Sequence, residues 1–229
     1  MITYGDVLQK LNALADERYR IFHSRLLKNE KIRVLGVKVP LLRALAKEWK
    51  GELETLLSFP DEYYEVTFLK CQAVALLPFE AFCKNVERVL PLIDNWATCD
   101  SFRPNCLRAH KREFLPFVER YCKDEREFIK RFGLVTLLAY YVEEAYLPLL
   151  FEKIRACKEE PYYVMTACAW LLAEILIKHY DAGVSFLKEN CIPPRTRDCA
   201  VQKATESFRI SPAQKLQLKA LRNDLRIRG

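Results

Sequence analysis

The stretch Val39-Pro-Leu-Leu-Arg-Ala-Leu-Ala-Lys-Glu-Trp49 decides the fold. Its apolar residues recur at three and four spacing, the period of an α-helix with one face turned inward. Pro40 stands in the first turn, where a missing N–H costs little, and Gly36 breaks the chain before it. The same spacing runs almost throughout. It predicts Ile2–Leu27 as one long amphipathic helix with a basic face, a short Gly51–Phe59 piece, and Glu62–Leu77 with Asp61 as N-cap. Phe79–Leu92, Asn95–Arg103, Arg108–Cys122, Glu125–Tyr141, Ala145–Ala156, Tyr162–His179, Ala182–Glu189, Thr196–Phe208 and Pro212–Leu225 follow. Pro78, Pro104 and the Pro193-Pro194 pair punctuate them, and Ser211-Pro212 supplies a cap and first turn.

This makes about a dozen helices joined by short connections, in antiparallel pairs of roughly 35 to 40 residues, the period of HEAT-like solenoids. The expected fold is therefore all-α, an α-α superhelix of about six helix pairs, with residues 1–229 as one HEAT-like repeat domain. Stacked pairs line a concave trough, so a ligand-binding surface is implied by architecture alone. Glycine is scarce, with 6 in 229 residues. All-β folds spend glycine on turns, so the scarcity agrees with helices. A hydrophobic fraction of 51% with 29% charged excludes a disordered chain.

Nine cysteines raise the question of disulfides or metal, and their spacing answers against both. No CxxC occurs, the number is odd, and His23, His110 and His179 stand far from any cysteine pair. Most of these thiols fall at apolar positions of helical patterns, where cysteine behaves as a small hydrophobe. The reading is a reducing cytoplasm, no metal and no cofactor. No basic-then-apolar leader and no run of 18 apolar residues occurs, so neither secretion nor membrane spanning is expected.

The formal charge is +7 and unevenly spread. Arg103 to Arg131 holds nine Lys or Arg against five Asp or Glu, and Cys191 to Gly229 nine against three. Clustered positive charge attracts phosphate and releases counterions on binding, unless it is only a solvated basic face.

Against this background, Asp94-Asn-Trp-Ala-Thr-Cys-Asp100 carries the chemistry. Trp96 and Asp100 are four residues apart, so a helix projects an indole and a carboxylate side by side. Trp170 lies mid-helix and Arg131 near the start of another. Two indoles, a carboxylate and a guanidinium suit an electron-poor base on an anionic backbone. Each also has a structural reading: Asp100 as a helix-end residue before Pro104, the tryptophans as core aromatics, Arg131 as an exposed first-turn residue.

Five motifs in order make a joint pattern. They are Gly36-Val-x-x-Pro40-Leu-Leu-Arg-Ala-Leu-Ala-Lys47, Asp94 to Asp100, Arg131-Phe-Gly-x-Val-x-x-Leu, Ala167-x-Ala-Trp-Leu-Leu-Ala-Glu174 and Ala200-Val-Gln-Lys-Ala204. Together they resemble the AlkD-type DNA alkylation repair proteins of bacteria, a family of HEAT-like repeat DNA glycosylases. The resemblance covers nearly the whole chain. It implies excision of cationic N3- or N7-alkylated purines from double-stranded DNA, without drawing the base into a pocket. It implies Asp100 as catalytic carboxylate, Trp96 and Trp170 as indoles against the damaged nucleotide, and Arg131 as a phosphate holder. It also implies a bacterial protein, at the nucleoid when acting; a solenoid of this size is expected to work as a monomer.

The residue types suit that chemistry on their own terms. A cationic purine leaves without protonation, so the transition state needs only a stabilised oxocarbenium-like sugar and a placed water. One carboxylate serves both. Indole faces attract cations by about 0.5–2 kcal/mol, which favours charged lesions. Backbone contacts are expected from Arg43, Lys47, Arg103, Arg108, Lys111, Arg112, Lys130, Arg195, Arg197 and Lys203, residues that position DNA without reading its sequence. A non-catalytic HEAT-like module binding damaged or branched DNA, or a protein scaffold, is the competing reading.

Overall fold

In the computed structural model, which describes residues 2–228, every regular element is helical. Contacts divide the chain into two units, Met1–His110 and Lys111–Gly229.

The first unit opens with α1 (Tyr4–Leu14) and α2 (Glu17–Leu27), where the sequence predicted one long helix. The break has a local cause. The Asp16 carboxylate accepts the Tyr19 N–H at 3.0 Å and so caps a new helix, while the Asp16 N–H turns away to the Gly36 carbonyl at 3.0 Å. Periodicity alone does not register such a competing acceptor. The first helix carries its own capping box, Thr3 with Asp6.

Next come α3 (Val39–Glu48), α4 (Leu53–Ser58), α5 (Tyr64–Ala75), α6 (Phe79–Val89) and α7 (Trp96–Ser101). All twelve residues of α5 are buried, and α3, α4, α6 and α7 pack around it. It begins three residues beyond the expected cap. Asp61 is drawn elsewhere, accepting from the Thr67 hydroxyl and the buried Lys70 ammonium, each at 3.0 Å. Lys70 also donates to the Phe59 carbonyl, so a buried cation finds partners for its charge. Gly36, at φ +99°, lets the preceding loop pass Asp16 and Arg20, and the loop amides close on the α5 carboxylate of Glu65.

The second unit runs through α8 (Lys111–Tyr121), α9 (Glu127–Tyr140), α10 (Leu147–Ala156), α11 (Tyr162–Lys178), α12 (Tyr180–Lys188), α13 (Pro194–Glu206) and α14 (Pro212–Arg228). Here α11 packs between α9 and α13; α8 lies against α9, α10 and α12 against α11, and α14 against α13. Each inner helix thus has an outer companion, the pairing the apolar stripes predicted. Gly133 explains the glycine of the Arg131-Phe-Gly motif. A Cβ there would stand 2.9 Å from both the amide nitrogen and the sulfur of Cys122, so α9 passes the end of α8 too closely for a side chain. Arg209 forks onto Glu174 at 2.7 and 2.8 Å, tying the α13–α14 connection to α11.

The nine cysteines are free thiols. Among the described residues no helix is long and apolar enough to cross a membrane, and no group of three His, Cys, Asp or Glu stands close enough to hold a metal ion.

Candidate functional site

Six residues make α7, and side-chain amides fix both its ends. The Asn95 oxygen accepts the Thr98 N–H at 2.8 Å, and its nitrogen donates to Asp94 at 2.9 Å. From α5, the Gln72 amide donates to the Ser101 carbonyl at 3.0 Å. A helix this short cannot sustain itself, so these tertiary bonds hold it. They present Trp96 and Asp100 on one face, both in the wall of a hollow of about 480 Å3 within the first unit. Asp100 and Trp96 are each partly exposed. Arg43 of α3 and Arg103 also line the hollow, and the Arg103 Nε donates to the Asp100 carbonyl at 2.8 Å.

Aromatic rings complete the wall. Tyr19 stacks on His23 with centroids 5.4 Å apart, His23 meets Tyr64 at 4.5 Å, and Phe22 lies 6.2 Å from Tyr19. Burial pushes the Tyr64 phenol up and holds the His23 imidazole below its ordinary value, so His23 is neutral near pH 7. His23 Nε2 has no hydrogen-bond partner among the described residues. The Tyr64 and Thr98 hydroxyls are neighbours, yet neither completes a hydrogen bond by geometry. The sequence reading missed Tyr19, Phe22, His23 and Tyr64. Their signal was present: in α2 the buried positions are His23 and Leu27, so Ile21, Phe22 and Leu26 are apolar residues off the buried stripe.

The basic residues divide sharply. Arg43 and Lys47, one turn apart on α3, are exposed and line a smaller hollow of about 290 Å3 with Gln72, Arg103 and Asn105. Arg108, Arg112, Arg195 and Lys203 are exposed too, with the Arg195 guanidinium 5.7 Å from the Tyr162 ring centroid. Lys111 is paired with Glu143, and Lys130 with Glu160 at 2.9 Å. Arg197 is 2% exposed and bonds Asn190 at 3.0 Å and Asp198 at 3.2 Å, as a structural cation does. Arg131, 5% exposed in the second turn of α9, donates to the Tyr163 carbonyl and to Thr166 Oγ1 at 3.1 Å, both in the first turns of α11. Trp170, one turn further along α11, is partly exposed. A third hollow, of about 730 Å3, gathers Arg25, Lys28 and Arg33 with Glu30 around the end of α2, and Arg20 in its wall forks onto Glu17 at 2.6 Å; the sequence reading singled out none of these cations.

A carboxylate beside an indole can stabilise positive charge on a sugar and orient a water, and flanking guanidinium groups can hold phosphate. Comparison with known proteins bears on this arrangement. Among curated proteins no sequence matches. A solved structure with 15% sequence identity matches 82% of this chain and 83% of its own with a TM-score of 0.61. It is described as "A new family of proteins related to the HEAT-like repeat DNA glycosylases with affinity for branched DNA structures". Likeness at that identity establishes a shared HEAT-like fold. The family model described as DNA alkylation repair enzyme matches residues 7–208. By that match over most of its length, the chain belongs to the DNA alkylation repair enzyme family.

Proposed function

We propose that this protein binds double-stranded DNA as a single HEAT-like domain and hydrolyses the N-glycosidic bond of cationic N3- or N7-alkylated purines. The observation that carries the reading is the joint presence of Trp96, Asp100, Arg43 and Arg103 in one hollow. The cationic purine departs with the electron pair of its glycosidic bond. Asp100 faces the positive charge left on the sugar and orients the water that adds to the anomeric carbon. Trp96 favours the charged lesion, and Arg43 and Arg103 take the backbone. Trp170 is the second indole of the reading. Arg131 serves as a positioning residue, because its guanidinium fastens the first turns of the helix that carries Trp170.

The test is release of 7-methylguanine or 3-methyladenine from methylated duplex DNA by the wild type, falling at least about a hundredfold in Asp100→Asn. DNA binding with no base release by the wild type overturns the enzyme reading.

A second reading is favoured by two observations. The solved structure of similar fold is described by affinity for branched DNA, and the hollow around Arg25, Lys28 and Arg33 offers a second phosphate-attracting surface in the same unit. In that reading the protein is a non-catalytic module for branched DNA, and it binds a four-way junction more tightly than a linear duplex of the same length.

A further inference from the structure

We propose that the hollow beside Asp100 receives an unpaired, extrahelical nucleobase, stacked on the aromatic face of α2. This deepens the DNA-binding reading and rests on it. It also departs from the family resemblance, which implies a base left outside any pocket.

Phe22 is 58% exposed, an unusual position for a phenyl ring, and Leu26 beside it in the wall is exposed as well. Tyr19, His23 and Tyr64 continue the same wall, and Trp96 enters it from α7. Successive rings of this kind form the platforms on which single-stranded nucleic acid stacks, because every base has a π-face. The volume of about 480 Å3 falls within the range of roughly 300–1,000 Å3 typical of sites for small planar ligands. One polar group behind the wall lacks a partner: His23 is more than nine-tenths buried, and its Nε2 meets no hydrogen-bonding group among the described residues.

Charge selects the occupant. Exposed Arg43 and Arg103 line the hollow, and Lys47 stands one turn from Arg43. A planar aromatic group attached to an anionic backbone satisfies rings and guanidinium groups at once. An unpaired base already out of its stack has no unstacking cost to meet, so bulges and junction points are the favoured source.

The experiment compares two fluorescein-labelled duplexes by anisotropy, identical except that a single bulged nucleotide carries adenine or is an abasic tetrahydrofuran. The wild type is expected to bind the adenine bulge about tenfold more tightly. Phe22→Ala should bring the two affinities level, and Phe22→Trp should preserve the difference. Equal affinities in the wild type, or a preference untouched by Phe22→Ala, overturn this proposal and leave DNA binding standing. Failure to bind either duplex overturns both.

Discussion

The Glu65 carboxylate accepts the backbone N–H of Gly36 at 2.8 Å. It takes those of Leu35 and Val37 too, at 3.0 and 3.2 Å, so one buried anion closes the loop that leads into α3. No helix supplies acceptors for these three amides. Glu65→Ala strands them, and we expect a loss of about 3 kcal/mol, read as a fall in the urea midpoint. Glu65→Gln keeps an acceptor and should lose less.

Gly36 itself tolerates no side chain. A Cβ would meet the Asp16 carbonyl at 2.6 Å and Arg20 Cβ at 2.7 Å, in a left-handed backbone that an alanine resists. Gly36→Ala should cost about 2 kcal/mol or more and lower the thermal midpoint by several degrees. A melting curve unchanged by the substitution would contradict the close approach of loop and helix.

His23 makes stability depend on pH in a definite direction. Burial holds its folded-state value below the unfolded one near 6.5, so the unfolded chain binds the proton more readily. Above that value the imidazole is neutral in both states and no penalty exists. As the pH falls from 7.5 to 5.5 the wild type should lose stability, at a limiting slope of about 1.4 kcal/mol per pH unit from this group. His23→Leu should flatten that part of the profile in urea titrations at the two pH values.

Salt dependence separates exposed cations from committed ones. Arg43→Ala and Lys47→Ala should each reduce the slope of log affinity against log salt by about 0.9. Lys130→Ala should leave it unchanged, because Glu160 already neutralises that ammonium. Equal effects from all three would mean that the pairing is lost when DNA binds.

The helical frame was legible because burial imposes a period. The α3 stripe, the proline-led starts of α3, α10 and α14 and the break at Pro193-Pro194 follow from local rules that packing did not override. The cap at Asp61 was misplaced, and the one at Asp16 unread, for one shared reason: whether a carboxylate caps a helix depends on which donors surround it. Tyr19 lies three residues beyond Asp16, but Lys70 reaches Asp61 only through the fold. The site divides likewise. That Trp96 and Asp100 share a face was legible from their spacing along one helix. The ring wall from α2 and α5 escaped because it is assembled across more than forty residues of sequence, and because a basic helix drew attention to its charges rather than to Phe22. Arg197 was placed on the DNA side by its charge and Arg131 by the family resemblance, whereas the fold surrounds both with oxygen acceptors.

The clamp on α7 has a bearing on how variants are interpreted. Gln72 binds the Ser101 carbonyl and Asn95 the Thr98 amide, so the two hold the short helix that carries Asp100. Under the proposed function, trimming either amide would shift the Asp100 carboxylate while leaving every reactive group in place, so a loss of base release obtained that way would report lost alignment rather than lost chemistry.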